Sequence, residues 1–91
     1  MSTNGVCVKL EEKGLIAALQ QARAQLSNGE GEVALDFSAV HRIDTSALKA
    51  LEELAAAAQE KGGKVALRGV NVEIYKVLKV ARVATRFIFQ N

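Results

Sequence analysis

Short apolar runs alternate with segments of helical periodicity along this chain, and that alternation constrains the fold more than any other feature. Val6, Val8 and Leu10 alternate with Cys7 and Lys9, the period of a strand. Leu15, Leu19, Ala22 and Leu26 then recur at helical spacing, predicting an amphipathic helix over 12–27, stopped by Ser27-Asn28-Gly29. Val33-Ala34-Leu35-Asp36-Phe37 is compact and apolar, as in a strand buried on both faces. A second helix is predicted over 45–61, with Leu48, Leu51, Leu54, Ala55 and Ala58 as its stripe and Gly62-Gly63 as its stop. Val65-Ala66-Leu67 is another buried strand, 71–82 a third helix with Ile74, Val77, Leu78 and Ala81 inward, and Phe87-Ile88-Phe89 a last strand. The order β-α-β-α-β-α-β predicts one α/β domain over 1–91, with a mostly parallel central sheet of about four strands and three helices.

Such sheets gather their binding sites beyond the carboxyl ends of the strands. Attention therefore falls on the loop after 33–37. It runs through a short polar turn into a helix that opens with Asp44-Thr45-Ser46. Asp, Ser and Thr are favoured helix caps because their oxygens accept the orphan amide hydrogens. One cap suffices, and Asp44 is the expected one. Three oxygen-bearing residues in a row exceed that need. A phosphate on Ser46 or Thr45 would carry about −1.5 to −2 charges. At a helix N-terminus it would meet free amides and the positive end of the dipole.

Catalytic patterns are missing. The chain has neither a GxxxxGK[ST] nor a GxGxxG loop. One His and one Cys cannot build a Cys/His zinc site. His41, Asp44 and Ser46 supply triad residue types but lie within six residues, whereas a triad draws its members from separate segments. No enzyme, cofactor or metal is expected. Low aromatic content argues against single-strand nucleic-acid binding. The start Met1-Ser2-Thr3-Asn4-Gly5 has no basic or apolar leader region, and no apolar run is long enough to span a bilayer. With a single cysteine, a reducing, cytoplasmic setting is expected and membrane insertion is not.

Charge is unevenly spread. Residues 1–44 carry a net −2 and residues 45–91 a net +4. Lys76, Lys79, Arg82 and Arg86 recur at three- and four-residue steps, so three or four share one face of the last helix, either solvated or turned to an acidic partner surface or anionic lipid. Cys7 reads as strand filler and Tyr75 as packing.

Two stretches resemble a known family. Leu35-Asp36-Phe37-Ser38 and Ile43-Asp44-Thr45-Ser46-Ala47-Leu48, followed by Gly62-Gly63-Lys64 before a buried strand, look like a STAS domain (sulfate transporter and anti-sigma-factor antagonist). The resemblance spans about residues 30–91. The family usually begins with a strand pair, where this chain offers one strand.

In the antagonist branch, the serine matching Ser46 is phosphorylated by an anti-sigma factor that is a serine kinase. The unmodified domain binds that kinase, and the phosphorylated one releases it. The resemblance thus implies a regulatory protein-binding module with Ser46 as phosphorylation site and Thr45 as second choice. Its expected partner surface comprises Asp36, Ser38, His41, Arg42, Asp44, Thr45, Ser46, Ala47 and Lys49. Ala47 stands where the family usually has glycine. A second branch, the small STAS subunit of bacterial phospholipid-transport ABC systems, is also similar through Asp44-Thr45 and Gly69-Val70-Asn71. It implies an ATPase subunit as partner, with Thr45 at the contact.

Overall fold

The structure, a computed structural model, describes residues 5–27 and 31–90. Strand β1 (Gly5–Glu11) leads to α1 (Leu15–Ser27), β2 (Glu32–Ala39), α2 (Thr45–Lys61), β3 (Lys64–Arg68) and α3 (Val72–Val80). A 3₁₀ turn (Ala84–Arg86) then precedes β4 (Ile88–Gln90). The strands form one sheet in the order β1-β2-β3-β4, and every pairing is parallel. The expected fold class and element order are therefore both present.

Register explains how the layers form. Val8, Leu35, Leu67 and Phe89 align across the four strands, with Val33 beside Val65 in the row before. Successive parallel strands joined by right-handed crossovers put every connecting helix on the same face. Accordingly Val33, Leu35 and Phe37 are buried, while Ala34 and Asp36 between them are only half-buried. β2 is thus covered on one face, not on both as its apolar run suggested. The run misleads because Ala34 is small enough to sit on either kind of surface. The other face carries Cys7, Ala34, Ala66 and Ile88 in one row, with Cys7 and Ile88 exposed. The next row is Lys9, Asp36, Arg68 and Gln90.

The core lies between the sheet and its helices. Leu19, Leu26, Leu51, Leu54, Ile74 and Leu78 come inward from the helices onto Leu35, Phe37 and Leu67. α2 matches its predicted ends because both carry local signals. Asp44 caps its start, and Gly62, at φ 70°, closes its end with N–H groups returning to Ala58 and Gln59. α1 starts three residues later than its periodicity suggested, because Glu12 turns its side chain toward the loop at His41. The predicted stop at Asn28-Gly29 lies outside the described residues. α3 ends at Val80, and Arg82 takes a left-handed φ of 64°. Three or four of the basic residues are expected on one helical face, and only Lys76 and Lys79 lie on the helix. Tyr75 packs edge-on against Phe89, ring centres 5.1 Å apart. Among the described residues, no helix is long and apolar enough to cross a membrane.

Two glycines give a test of this packing. Both Gly62 and Gly69 hold positive φ, but a β-carbon on Gly62 meets nothing within 4 Å. On Gly69 it would lie 3.1 Å from both the amide nitrogen and the β-carbon of Ser38. Gly62→Ala should cost about 1 kcal/mol from backbone strain alone. Gly69→Ala should cost at least about 1 kcal/mol more, since β2 and the α3 lead must separate. Urea unfolding of the two variants measures both costs, and equal losses would contradict the close approach.

Candidate functional site

The site forms where β2 gives out at the carboxyl edge of the sheet. Phe37 is the last buried residue of the strand, and Val40 N–H turns back to its carbonyl at 2.9 Å. Val40 itself is buried and anchors the turn. Asp36 Oδ1 accepts the Ser38 amide at 2.9 Å. That bond, then the Ser38 hydroxyl, holds the Asp36 carboxyl below its ordinary pKa.

Two distant segments fix the middle of the turn. Glu12 Oε2, from the β1–α1 loop, accepts the His41 amide at 2.9 Å. Asn71 Nδ2 donates to the His41 carbonyl at 2.8 Å. The same Asn71 caps α3, its Oδ1 accepting the Ile74 amide at 2.8 Å. The peptide groups on both sides of His41 are therefore held, one from each neighbouring loop. The His41 ring stays largely exposed, with Nδ1 3.6 Å from Glu12 Oε2. The His41 amide bond is the main reason Glu12 titrates below its ordinary value. The sequence does not single out Glu12, and it marks Asn71 only as part of the Gly69-Val70-Asn71 resemblance, not as a tether of the turn. Asn71 does carry a cap signal, an Asn just before an apolar helix, but the Glu12–His41 bond spans 29 residues and leaves no local trace.

The turn then enters α2. Asp44 is extended at φ −97° and ψ −176°, and its Oδ1 accepts the Ala47 amide at 2.8 Å. Its backbone carbonyl accepts Leu48 N–H at 2.9 Å. Thr45 and Ser46 are exposed, and neither hydroxyl has a hydrogen-bond partner among the described residues. Ala47 is buried at 2% exposure, at the base of the groove between the starts of α1 and α2. Lys49 is exposed one turn along.

Arg42 is also exposed. With Glu12, Leu15, Ile16, Ile43 and Asp44 it lines an open groove of about 660 Å³ between the starts of α1 and α2. Ser38 lies across the turn, against Gly69. Asp36 is half-buried in the Lys9–Asp36–Arg68 row of the uncovered sheet face. The structure thus brings His41, Arg42, Asp44, Thr45 and Ser46 together and sets Asp36 apart. His41, Asp44 and Ser46 form no relay: His41 faces Glu12, and Asp44 is occupied as a cap.

The architecture is a one-sided α/β domain with exposed hydroxyls on a turn held by side-chain bonds. Residues 13–89 match the family described as "Mlab, STAS domain", and the chain belongs to the STAS domain family. The NMR structure of protein TM1081 is similar over 100% of this chain and 77% of that one, with TM-score 0.81 and 18% identity. The crystal structure of the same Thermotoga maritima protein, a candidate anti-sigma factor antagonist, gives TM-score 0.80 and 19% identity over 100% and 82%. At these identities the likeness is one of fold. No curated protein matches the chain.

The Glu12 clasp should leave a pH signature. Its lowered pKa means a stabilisation fully present above the unfolded glutamate value, about 4.3, and lost as pH falls through the lower folded value. Glu12→Gln should therefore be less stable than wild type at neutral pH, with the gap closing in acid. Thermal melts across that range check this, and a gap independent of pH would contradict it.

Proposed function

We propose that this chain is a non-enzymatic regulatory protein-binding module, an anti-sigma-factor antagonist. It binds an anti-sigma factor that is also a serine kinase, and phosphorylation at the Asp44-Thr45-Ser46 turn releases it. In this reading residues 1–91 act as one STAS domain in the cytoplasm, where such a partner works, without cofactor, metal or nucleic acid.

The observation that carries the reading is a division of labour at the turn. Asp44 supplies the cap, while Glu12 and Asn71 hold the backbone. Thr45 and Ser46 have no part in that frame and face solvent. A hydroxyl that the fold does not use is free for a partner or a kinase. A phosphate there would sit at the N-terminus of a 17-residue helix, where negative charge is stabilised by about 0.3–1 kcal/mol. The fold would accept it. A partner surface shaped for a neutral hydroxyl would have to desolvate it beside Asp44. Family position favours Ser46 over Thr45. The likeness of fold to a candidate anti-sigma factor antagonist supports the same branch.

A second reading is a subunit of a phospholipid-transport ABC complex that binds its ATPase. Gly69-Val70-Asn71 supports it. This segment, shared with that branch, presses on Ser38 and holds His41, so it belongs to the same surface as Thr45.

Ser46→Asp should keep its melting temperature and weaken binding to the anti-sigma kinase at least tenfold, roughly 1.4 kcal/mol. Ser46→Ala should bind like wild type and resist the kinase. Calorimetric titration of each variant against the kinase measures this. A folded Ser46→Asp protein binding at full strength overturns the switch. Loss of binding in Thr45→Ala alone, toward an ABC ATPase, favours the second reading.

A further inference from the structure

Among the described residues, the most exposed large apolar side chains lie on α3. Val80 is 83% exposed and Val72 68%, and Val77 is also exposed. α1 packs along α2, but α3 stands off from it. The gap is a groove of about 480 Å³ lined by Leu48, Lys76, Val77, Val80 and Ala81. Its walls are carbon almost throughout. Leu48 lies one turn beyond Thr45, so the groove continues the surface of the turn.

Its surroundings are basic. From Val72 to Arg86 the chain carries Lys76, Lys79, Arg82 and Arg86 against a single acid, Glu73. None of these cations makes an ion pair among the described residues. Of the facing helix only Leu48 reaches the groove; along its length that helix carries Lys49 and Lys61 against Glu52, Glu53 and Glu60. Arg82 follows Ala81 on the groove wall in a left-handed conformation, φ 64°. Val83 N–H bonds to the Leu78 carbonyl and Arg82 N–H to that of Lys79, the helix-ending motif whose left-handed position usually holds glycine. A cation thus stands beside the groove where the backbone disfavours any β-carbon.

We propose that the α2–α3 groove docks an amphipathic helix of the partner protein, with an apolar ridge inward and carboxylates toward Lys76, Lys79 and Arg82. The inference rests on the reading of the chain as a protein-binding module and adds a second contact to the turn. A cleft between two helices accepts the i, i+3, i+4 ridge of a third. A second copy of this chain fits poorly, because a two-fold contact would set the same cations against one another. A bilayer would meet Val72, Val77 and Val80 but leave the half-buried Leu48 uncovered.

The test titrates the full-length ¹⁵N-labelled protein with two synthetic amphipathic helical peptides. They share an apolar stripe and differ only in flanking positions, glutamate in one and lysine in the other. The acidic peptide should shift the Leu48, Val77, Val80 and Ala81 amides and bind at least about tenfold tighter than the basic one. Val80→Asp should abolish its binding. Lys76→Glu with Lys79→Glu should reverse the preference without loss of fold. The same titration reads the Thr45 and Ser46 amides beside the groove amides, so failure at the groove and failure at the turn are separable. Any of three results overturns the proposal: no groove shifts with either peptide, equal affinity for both, or a groove occupied instead by anionic phospholipid vesicles or by a second copy in sedimentation.

Discussion

Burial of Val33, Leu35 and Phe37 on one face of β2 fixes where the other parts can go. β2 is a central strand, and its register places Val8 on one side and Leu67 on the other. With strands in sequential order, right-handed connections stack all three helices over that row. The alternation along β2 also decides where the strand must stop. Phe37 is the last inward side chain, and Ser38 and Ala39 are exposed. The polar turn therefore emerges at the carboxyl edge, between two loops that can reach it.

The turn itself is held mainly by side chains acting on backbone. Glu12 and Asn71 take the amide and carbonyl on either side of His41, and Asp44 takes the Ala47 amide. A loop anchored at its own peptide groups can present side chains without relying on them for its shape. That separation lets Thr45 and Ser46 change chemically while the backbone beneath them stays put.

Much of this was legible in the sequence, because its signals were local. Periodicity located four strands and three helices, and Asp44 and Gly62 marked α2 at both ends. What was missed depends on contacts between distant segments. The apolar run at β2 could not show that Ala34 and Asp36 face an uncovered side. Glu12 looked like the first residue of a helix, because nothing near it announces His41. The basic stripe was read as one helical face, but the left-handed turn at Arg82 breaks it after Lys79. Tyr75 packs on Phe89 as expected, whereas Cys7, expected as strand filler, is exposed on the open face of the sheet.

The central claim is that the turn is rigid in its backbone and free in its hydroxyls. Native-state amide hydrogen exchange of the unbound protein tests it most directly. The account predicts that the Ser38, His41, Ala47 and Ile74 amides, each bonded to a side-chain oxygen, exchange slowly. The Thr45 and Ser46 amides, with no partner inside the first turn of a helix, should exchange fast. Fast exchange at His41 and Ala47, as in a loop without tethers, would contradict it.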